Sequence, residues 1–148
     1  MKNLKLLPIL LLLLTFVVSS CDDTDDGMVD RLVRSEWETD LGKKDNKIGE
    51  PLYSVFTFNF SGTGVEYLFY STDNELHSER FYRWRLLHNE YFDAIELSYR
   101  EGSEFLDEIR FGRNRMEAIH YYNRYDFERK REGMPIILDE VYPRQLFD

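Results

Sequence analysis

Cysteine is nearly missing from this chain of 148 residues. Cys21 is the only one, so no disulfide can close within the chain and a hydrophobic core must hold the fold. Histidine is scarce as well. His77, His88 and His120 show none of the spacings that mark a zinc site, and no metal or other cofactor is expected. Eight glycines and four prolines are too few for a low-complexity or collagen-like chain. Positive charge is in deficit: 19 Lys and Arg against 28 Asp and Glu give a net charge of −9. A nucleic-acid binder needs a basic footprint, and this chain has none of the required size, so no nucleic-acid partner is expected. No G-x-S-x-G nucleophile elbow occurs, and no enzymatic activity is expected.

Aromatic residues, by contrast, are abundant, with 11 Phe, 10 Tyr and 2 Trp. Disordered chains are poor in aromatics, so a real core is expected. The chain also begins with a distinctive segment. Lys2 and Lys5 precede an almost wholly apolar run from Leu6 to Val18, closed by Ser19 and Ser20, which is the layout of a secretory signal. The run is shorter than the about 20 apolar residues that a spanning helix needs. Val18-Ser19-Ser20-Cys21 resembles the lipobox of bacterial lipoproteins. That resemblance implies cleavage before Cys21, a diacylglycerol on its sulfur and an acylated amine, often with palmitate. Several acyl chains on one residue would anchor the protein nearly permanently.

Asp22, Asp23, Asp25 and Asp26 follow directly. One reading is a solvated acidic linker. The sharper one is a surface-export signal, because such a run resembles the address of lipoproteins displayed on the outer face of the outer membrane in some Gram-negative groups. In other groups an Asp at this second position directs retention, which leaves a periplasm-facing location as the rival. The expected organisation is therefore a lipoprotein signal peptide over residues 1–20, a lipidated acidic linker over 21–30, and one β-barrel domain over 31–148. Residues 1–20 carry Lys2 and Lys5 and no acid, so the remainder holds 17 basic and 28 acidic residues, net −11. Such a chain is repelled by an anionic membrane surface, and lipid must hold it there.

Beyond the leader, Val29, Leu32 and Val33 predict a short helix or turn over Met28–Arg34. After it the dominant period is two. Trp37, Thr39 and Leu41 alternate with charge; Phe56, Phe58 and Phe60 share a face; Val65, Tyr67 and Phe69 share another. Tyr82, Trp84 and Leu86 are expected inward with Arg83 and Arg85 outward, then Ile95, Leu97 and Tyr99 alternate with polar residues. Phe105, Asp107, Ile109 and Phe111 are read as one inward face, and Ile119, Tyr121, Tyr125 and Phe127 as another. The tail from Met134 reads as a closing strand or a short helix. Turn signals such as Ser61-Gly62-Thr63-Gly64 separate the runs, and no helical pattern is interleaved, which speaks against a parallel βαβ sheet. The fold class is all-β: an antiparallel up-and-down barrel or a β-sandwich of about eight strands. Large inward aromatics favour a filled interior.

A short helical lead, a Trp on the first strand and then Phe58-Asn59-Phe60-Ser61-Gly62-Thr63-Gly64 resemble the lipocalin-like domains of small bacterial lipoproteins. The family is functionally diverse, so the resemblance implies a barrel and no particular site residue. Candidate binding residues come from the alternation instead. Asp107, read as inward, either orients a ligand in a cavity or pairs with an arginine. Arg83 and Arg85, with Phe81, either engage an anionic partner or pair with acids such as Glu96 on the neighbouring strand. The expected function is a lipid-anchored cell-envelope protein that recognises a small ligand or a protein partner without catalysis. The alternative is an acidic inhibitor or immunity protein that neutralises a basic toxin or hydrolase. A hydrolase using scattered carboxylates is the third reading.

Overall fold

Thr24, Asp25 and Asp26 are residue types that helix N-termini favour. The first helix, α1, accordingly spans Thr24–Arg34 and begins before Met28, where the apolar spacing sets in. The computed structural model describes residues 24–88 and 93–141. The signal-peptide reading of residues 1–20, Cys21, Asp22 and Asp23 lies outside the described residues. Asp25 and Asp26 fall within α1, inside the stretch read as linker. The chain divides into two compact units, Met1–Asp30 and Arg31–Asp148.

Eight strands build the second unit: β1 Glu36–Lys44, β2 Pro51–Phe58, β3 Thr63–Tyr70, β4 Leu76–His88, β5 Asp93–Ser98, β6 Ser103–Phe111, β7 Arg115–Tyr121 and β8 Met134–Val141. Each pairs antiparallel with the next, and β8 returns to pair with β1 through Glu36↔Val141, Trp37↔Glu140 and Glu38↔Asp139. The fold is therefore an all-β, up-and-down closed barrel, not a sandwich. Closure removes free edge strands, although β4 outruns β5 and its residues Leu76–Tyr82 pair with β3 alone.

Register sets which side chains fill the barrel. Trp37, Phe56, Ile95, Leu97, Leu106, Met116 and Leu138 are all fully buried and lie on the inward side of their ladders. One end is plugged by the last turn of α1. Leu32 is fully buried, and its carbonyl accepts a hydrogen bond from Trp37 Nε1 at 3.1 Å. Arg31 reaches across the same end to donate to the Arg113 carbonyl at 2.9 Å. Its guanidinium lies 4.9 Å from the Phe111 ring centre, and that ring packs on Trp37 at 5.7 Å.

Tyr82 needs a gap in the opposite strand, and Gly64, its direct neighbour in the ladder, supplies it. The Tyr82 hydroxyl donates to the Thr57 carbonyl at 2.8 Å. A Cβ added at Gly64 would lie 2.3 Å from that carbonyl oxygen and 2.5 Å from the Tyr82 ring. Neither neighbour yields easily, since one is backbone and the other a buried ring. Gly64→Ala is expected to destabilise the barrel by about 1–3 kcal/mol. Urea unfolding measures this, and an unchanged midpoint would contradict the placement of the ring.

Two local departures from period two change the sequence reading. Glu108 adopts φ 51°, and the β6–β7 register slips between Asp107 and Arg110. Such a bulge exchanges the faces of the strand beyond it. Phe105 and Asp107 consequently point outward, whereas Phe111 points inward, so Asp107 does not enter the barrel as expected. Secondly, Tyr125 and Phe127 do not continue a strand. They lie on a short helix, α2, Arg124–Arg129, whose start is capped by Asn123 accepting from the Asp126 amide at 2.9 Å. Phe127 stacks on Phe105 at 4.4 Å, which lays α2 over the outer face of β6.

Candidate functional site

The barrel end opposite α1, where β1 runs out and β8 begins, is built differently from the plugged end. Inward positions there are polar. Lys43 on β1, Ser54 on β2, Glu66 on β3, Arg80 on β4, Glu104 on β6 and His120 on β7 converge with Tyr99, the residue after β5. Each sits on the same face as an apolar neighbour two residues away, so alternation carries it inward. Glu66 is at the centre, with 0 % of its surface exposed. Its Oε1 accepts from Ser54 Oγ at 2.6 Å and pairs with the Lys43 ammonium; its Oε2 accepts from Arg80 Nη1 at 2.7 Å and from the Tyr99 hydroxyl at 3.1 Å. Arg80 uses its other terminal nitrogen on Glu104 Oε1 at 2.9 Å, and its guanidinium lies 3.9 Å from the Tyr99 ring centre. Glu104 Oε2 is 2.9 Å from His120 Nε2.

The cluster thus chains two carboxylates to a lysine, an arginine and an imidazole. Burial pushes the Glu104 carboxyl up, but its hydrogen bond with His120 and the charges of Lys43 and Arg80 outweigh burial and hold it below its ordinary value. With Glu104 ionised, His120 Nε2 is the donor. His120 Nδ1 is buried and has no hydrogen-bond partner among the described residues, and the Tyr122 ring stands edge-on over the imidazole at 4.4 Å. Burial first, and then the charge of Glu66, push the Tyr99 and Tyr82 phenols up, so both remain protonated donors.

Above this floor, the β1–β2 loop and the ends of β3 and β4 enclose a groove of about 670 Å³. Lys43, Lys44 and Lys47 line it together with Leu52, Leu68, Ile48, Tyr70 and His77. Asp45, the one acid among the lining residues, is already engaged. Its Oδ1 accepts from the Lys47 and Ile48 amides, each at 2.7 Å, and its Oδ2 lies 2.8 Å from His77 Nε2. Those two amide bonds, more than His77, hold its carboxyl below the ordinary value. The groove therefore offers ammonium groups and an apolar wall to whatever enters.

The residues singled out from sequence fall elsewhere. Asp107 is 1 % exposed on the outer face, where Oδ2 pairs with the Lys130 ammonium just beyond α2. Its Oδ1 has no partner among the described residues. Arg85 is tied to Glu96 through Nε at 2.7 Å, and Arg124 of α2 holds the other Glu96 oxygen at 2.5 Å. Asp107 and Glu96 are thus the acids that fasten α2 to the barrel, through Lys130 and Arg124, and Arg85 holds Glu96 from β4. Phe81 and Arg83 point outward as expected and are exposed. Reading sequence missed the mouth cluster, although Arg80 shares a face with Tyr82 and Trp84, and Glu104 one with Leu106. Comparison with family models, with curated proteins and with solved structures found no match.

The carboxylates impose a pH dependence. Burial raises Glu96, but its hydrogen bonds from Arg85 and Ser103 and the charges of Arg124 and Arg85 hold it below the ordinary value, as with Glu104. A folded-state value below the unfolded one gives stability that is complete above the unfolded value, near about 4.3 for Glu. It is lost as pH falls through the folded-state values. The urea midpoint is expected to be level from pH 7 to about 5 and to decline below that. Glu104→Gln should flatten the decline, and an equally steep decline in that variant would exclude Glu104 as a contributor.

Proposed function

We propose that this protein is a lipid-anchored binding protein of the bacterial cell envelope, whose barrel receives a small amphipathic anion at its mouth and does so without catalysis. The groove between the β1–β2 loop and the ends of β3 and β4 carries this reading, because it joins three lysines to an apolar wall that includes Leu52 and Leu68. A ligand with an acidic head and an apolar body meets both requirements, as small-molecule sites combine an apolar lining with a few placed polar groups. The buried cluster around Glu66 keeps the Lys43 ammonium at the lip, charge-compensated from below. The likeness of the helical lead, Trp37 and the Phe58–Gly64 segment to lipocalin-like lipoproteins supports the same reading. Val18-Ser19-Ser20-Cys21 supports anchorage through lipid on Cys21, and Asp22, Asp23, Asp25 and Asp26 support display at the outer membrane.

One experiment addresses both halves of the proposal. Cells expressing the full chain are labelled with palmitate, and the detergent-solubilised protein is then titrated with anilinonaphthalene sulfonate, an aromatic anion that brightens in apolar surroundings. Palmitate incorporation that disappears in Cys21→Ala is expected. So is probe binding weakened about tenfold when Lys43, Lys44 and Lys47 are replaced together by Gln, the loss of about 1.4 kcal/mol. Equal labelling of the Cys21 variant would reject the anchor, and unchanged probe binding would reject the mouth site.

A further inference from the structure

A second recognition surface lies on the outer wall, and we propose that it binds a carboxylate-bearing sugar chain, such as a polyuronate. A groove of about 560 Å³ runs across β3, β4 and β5 and is lined by Asn59, Thr63, Phe81, Arg83, Ser98 and Arg100, among others. No carboxylate is among its lining residues, in a chain with 28 acids. The other two grooves described on this barrel each contain at least one, Asp45 at the mouth and Glu108 and Glu117 beside β7. Arg85, on the same row as Arg83, is neutralised by Glu96. Arg83 and Arg100 have no ion-pair partner among the described residues. Two guanidiniums left uncompensated at one groove favour an anionic occupant, and their planar forks can engage a carboxylate through two parallel hydrogen bonds.

The remaining lining residues narrow the chemistry. Phe81 is 69 % exposed, on an outward strand position where a ring is costly to leave in water. No cation of the described residues stacks on it. Its free face, negative by virtue of the ring quadrupole, suits the C–H face of a pyranose. Asn59, Thr63 and Ser98 present short polar side chains beside it, and the bonds that Asn59 and Ser98 make, to Thr63 and Ser103, are long at 3.4 Å each. They are free to exchange these for sugar hydroxyls. β4 pairs with β5 only from Arg83 to His88, so Leu76–Tyr82 have a ladder partner on the β3 side alone, and an acidic peptide pairing there is the rival occupant that the titration must separate.

Isothermal titration of the detergent-solubilised full chain with trigalacturonate, at about 150 mM salt to screen diffuse attraction, tests the proposal. Saturable binding is expected, weakened at least tenfold by Arg83→Gln, by Arg100→Gln and by Phe81→Ala. Methyl-esterified trigalacturonate should also bind at least tenfold more weakly, because it keeps the rings and loses the charge. Arg115→Gln, on β7 away from both grooves and paired with Glu117, should leave the affinity unchanged. Absence of binding at millimolar sugar would overturn the proposal, as would binding insensitive to the two arginines. Tighter binding of hexaglutamate than of the sugar would overturn it in favour of an acidic peptide.

Discussion

Glu66→Ala is expected to cost the barrel about 3–5 kcal/mol, the range found when one partner of a buried ion pair is removed. Four groups lose their acceptor at once: Lys43, Arg80, Ser54 and the Tyr99 hydroxyl. Two of them are cations, and Ser54 is itself fully buried. Since domains of this size are stable by only about 5–15 kcal/mol, the variant should unfold at a much lower urea concentration. Arg80→Ala should also be damaging, because it takes one cation from Glu66 and Glu104 together, although Lys43 and His120 remain beside them. The double variant should lose less than the sum of the two, as expected of residues in one network, whose coupling is about 0.5–3 kcal/mol. A loss below about 1 kcal/mol for Glu66→Ala would mean that water reaches the carboxylate freely and that the mouth has no dry floor.

The value of such a cluster is not obvious from stability alone. Buried ionic networks are often matched or exceeded by apolar packing of the same shape. The plugged end of this barrel shows the alternative: its fully buried residues Leu32, Trp37, Met116 and Leu138 are apolar, and its ion pair, Arg31 with Glu140, is left partly exposed at the rim. Two ends of one barrel, one apolar and one ionic, make chemical sense when only the second faces a partner. Lys43 links the two layers of the mouth, since it joins Glu66 below and lines the lysine groove above.

How much of this was legible depends on what alternation can and cannot encode. The barrel was legible because Phe56 and Phe58, Tyr82 and Trp84, and Ile95 and Leu97 follow period two without interruption. The helix α2 was not, because Tyr125 and Phe127 are two apart and imitate a strand. The better signal was Asn123 three residues before Asp126, a pattern typical of a helix start. Asp107 was misplaced because the bulge at Glu108 contains no glycine to announce it. A non-glycine residue at positive φ leaves no mark in sequence. The mouth cluster was missed for another reason: alternation assigns charges outward by default, and nothing local distinguishes an inward Glu66 from an outward Glu79. Only the closed ladder, which sets Ser54, Glu66, Arg80 and Glu104 on one inner wall, brings them together.

The second large effect concerns the strand that sequence left undecided between strand and helix. β8 closes the barrel, and its consecutive residues Ile137 and Leu138 have opposite fates. Leu138 is fully buried opposite Met116 in the ladder, whereas Ile137 is half exposed on the outer face. Leu138→Ala is expected to cost about 2–5 kcal/mol and Trp37→Ala about 3–5 kcal/mol, because each opens a cavity in a packed interior. Ile137→Ala should fall well below either, toward the about 0.5 kcal/mol typical of surface changes. Hydrogen exchange adds an independent reading. The amides of β1 and β8 should exchange together in Leu138→Ala, since that side chain packs at the seam where the barrel closes. A helix over Met134–Val141 would also bury Leu138, but it would leave the β1 amides facing water. Fast exchange of β1 in the unmodified protein, or equal losses for Ile137→Ala and Leu138→Ala, would therefore break the closure on which both proposed surfaces depend.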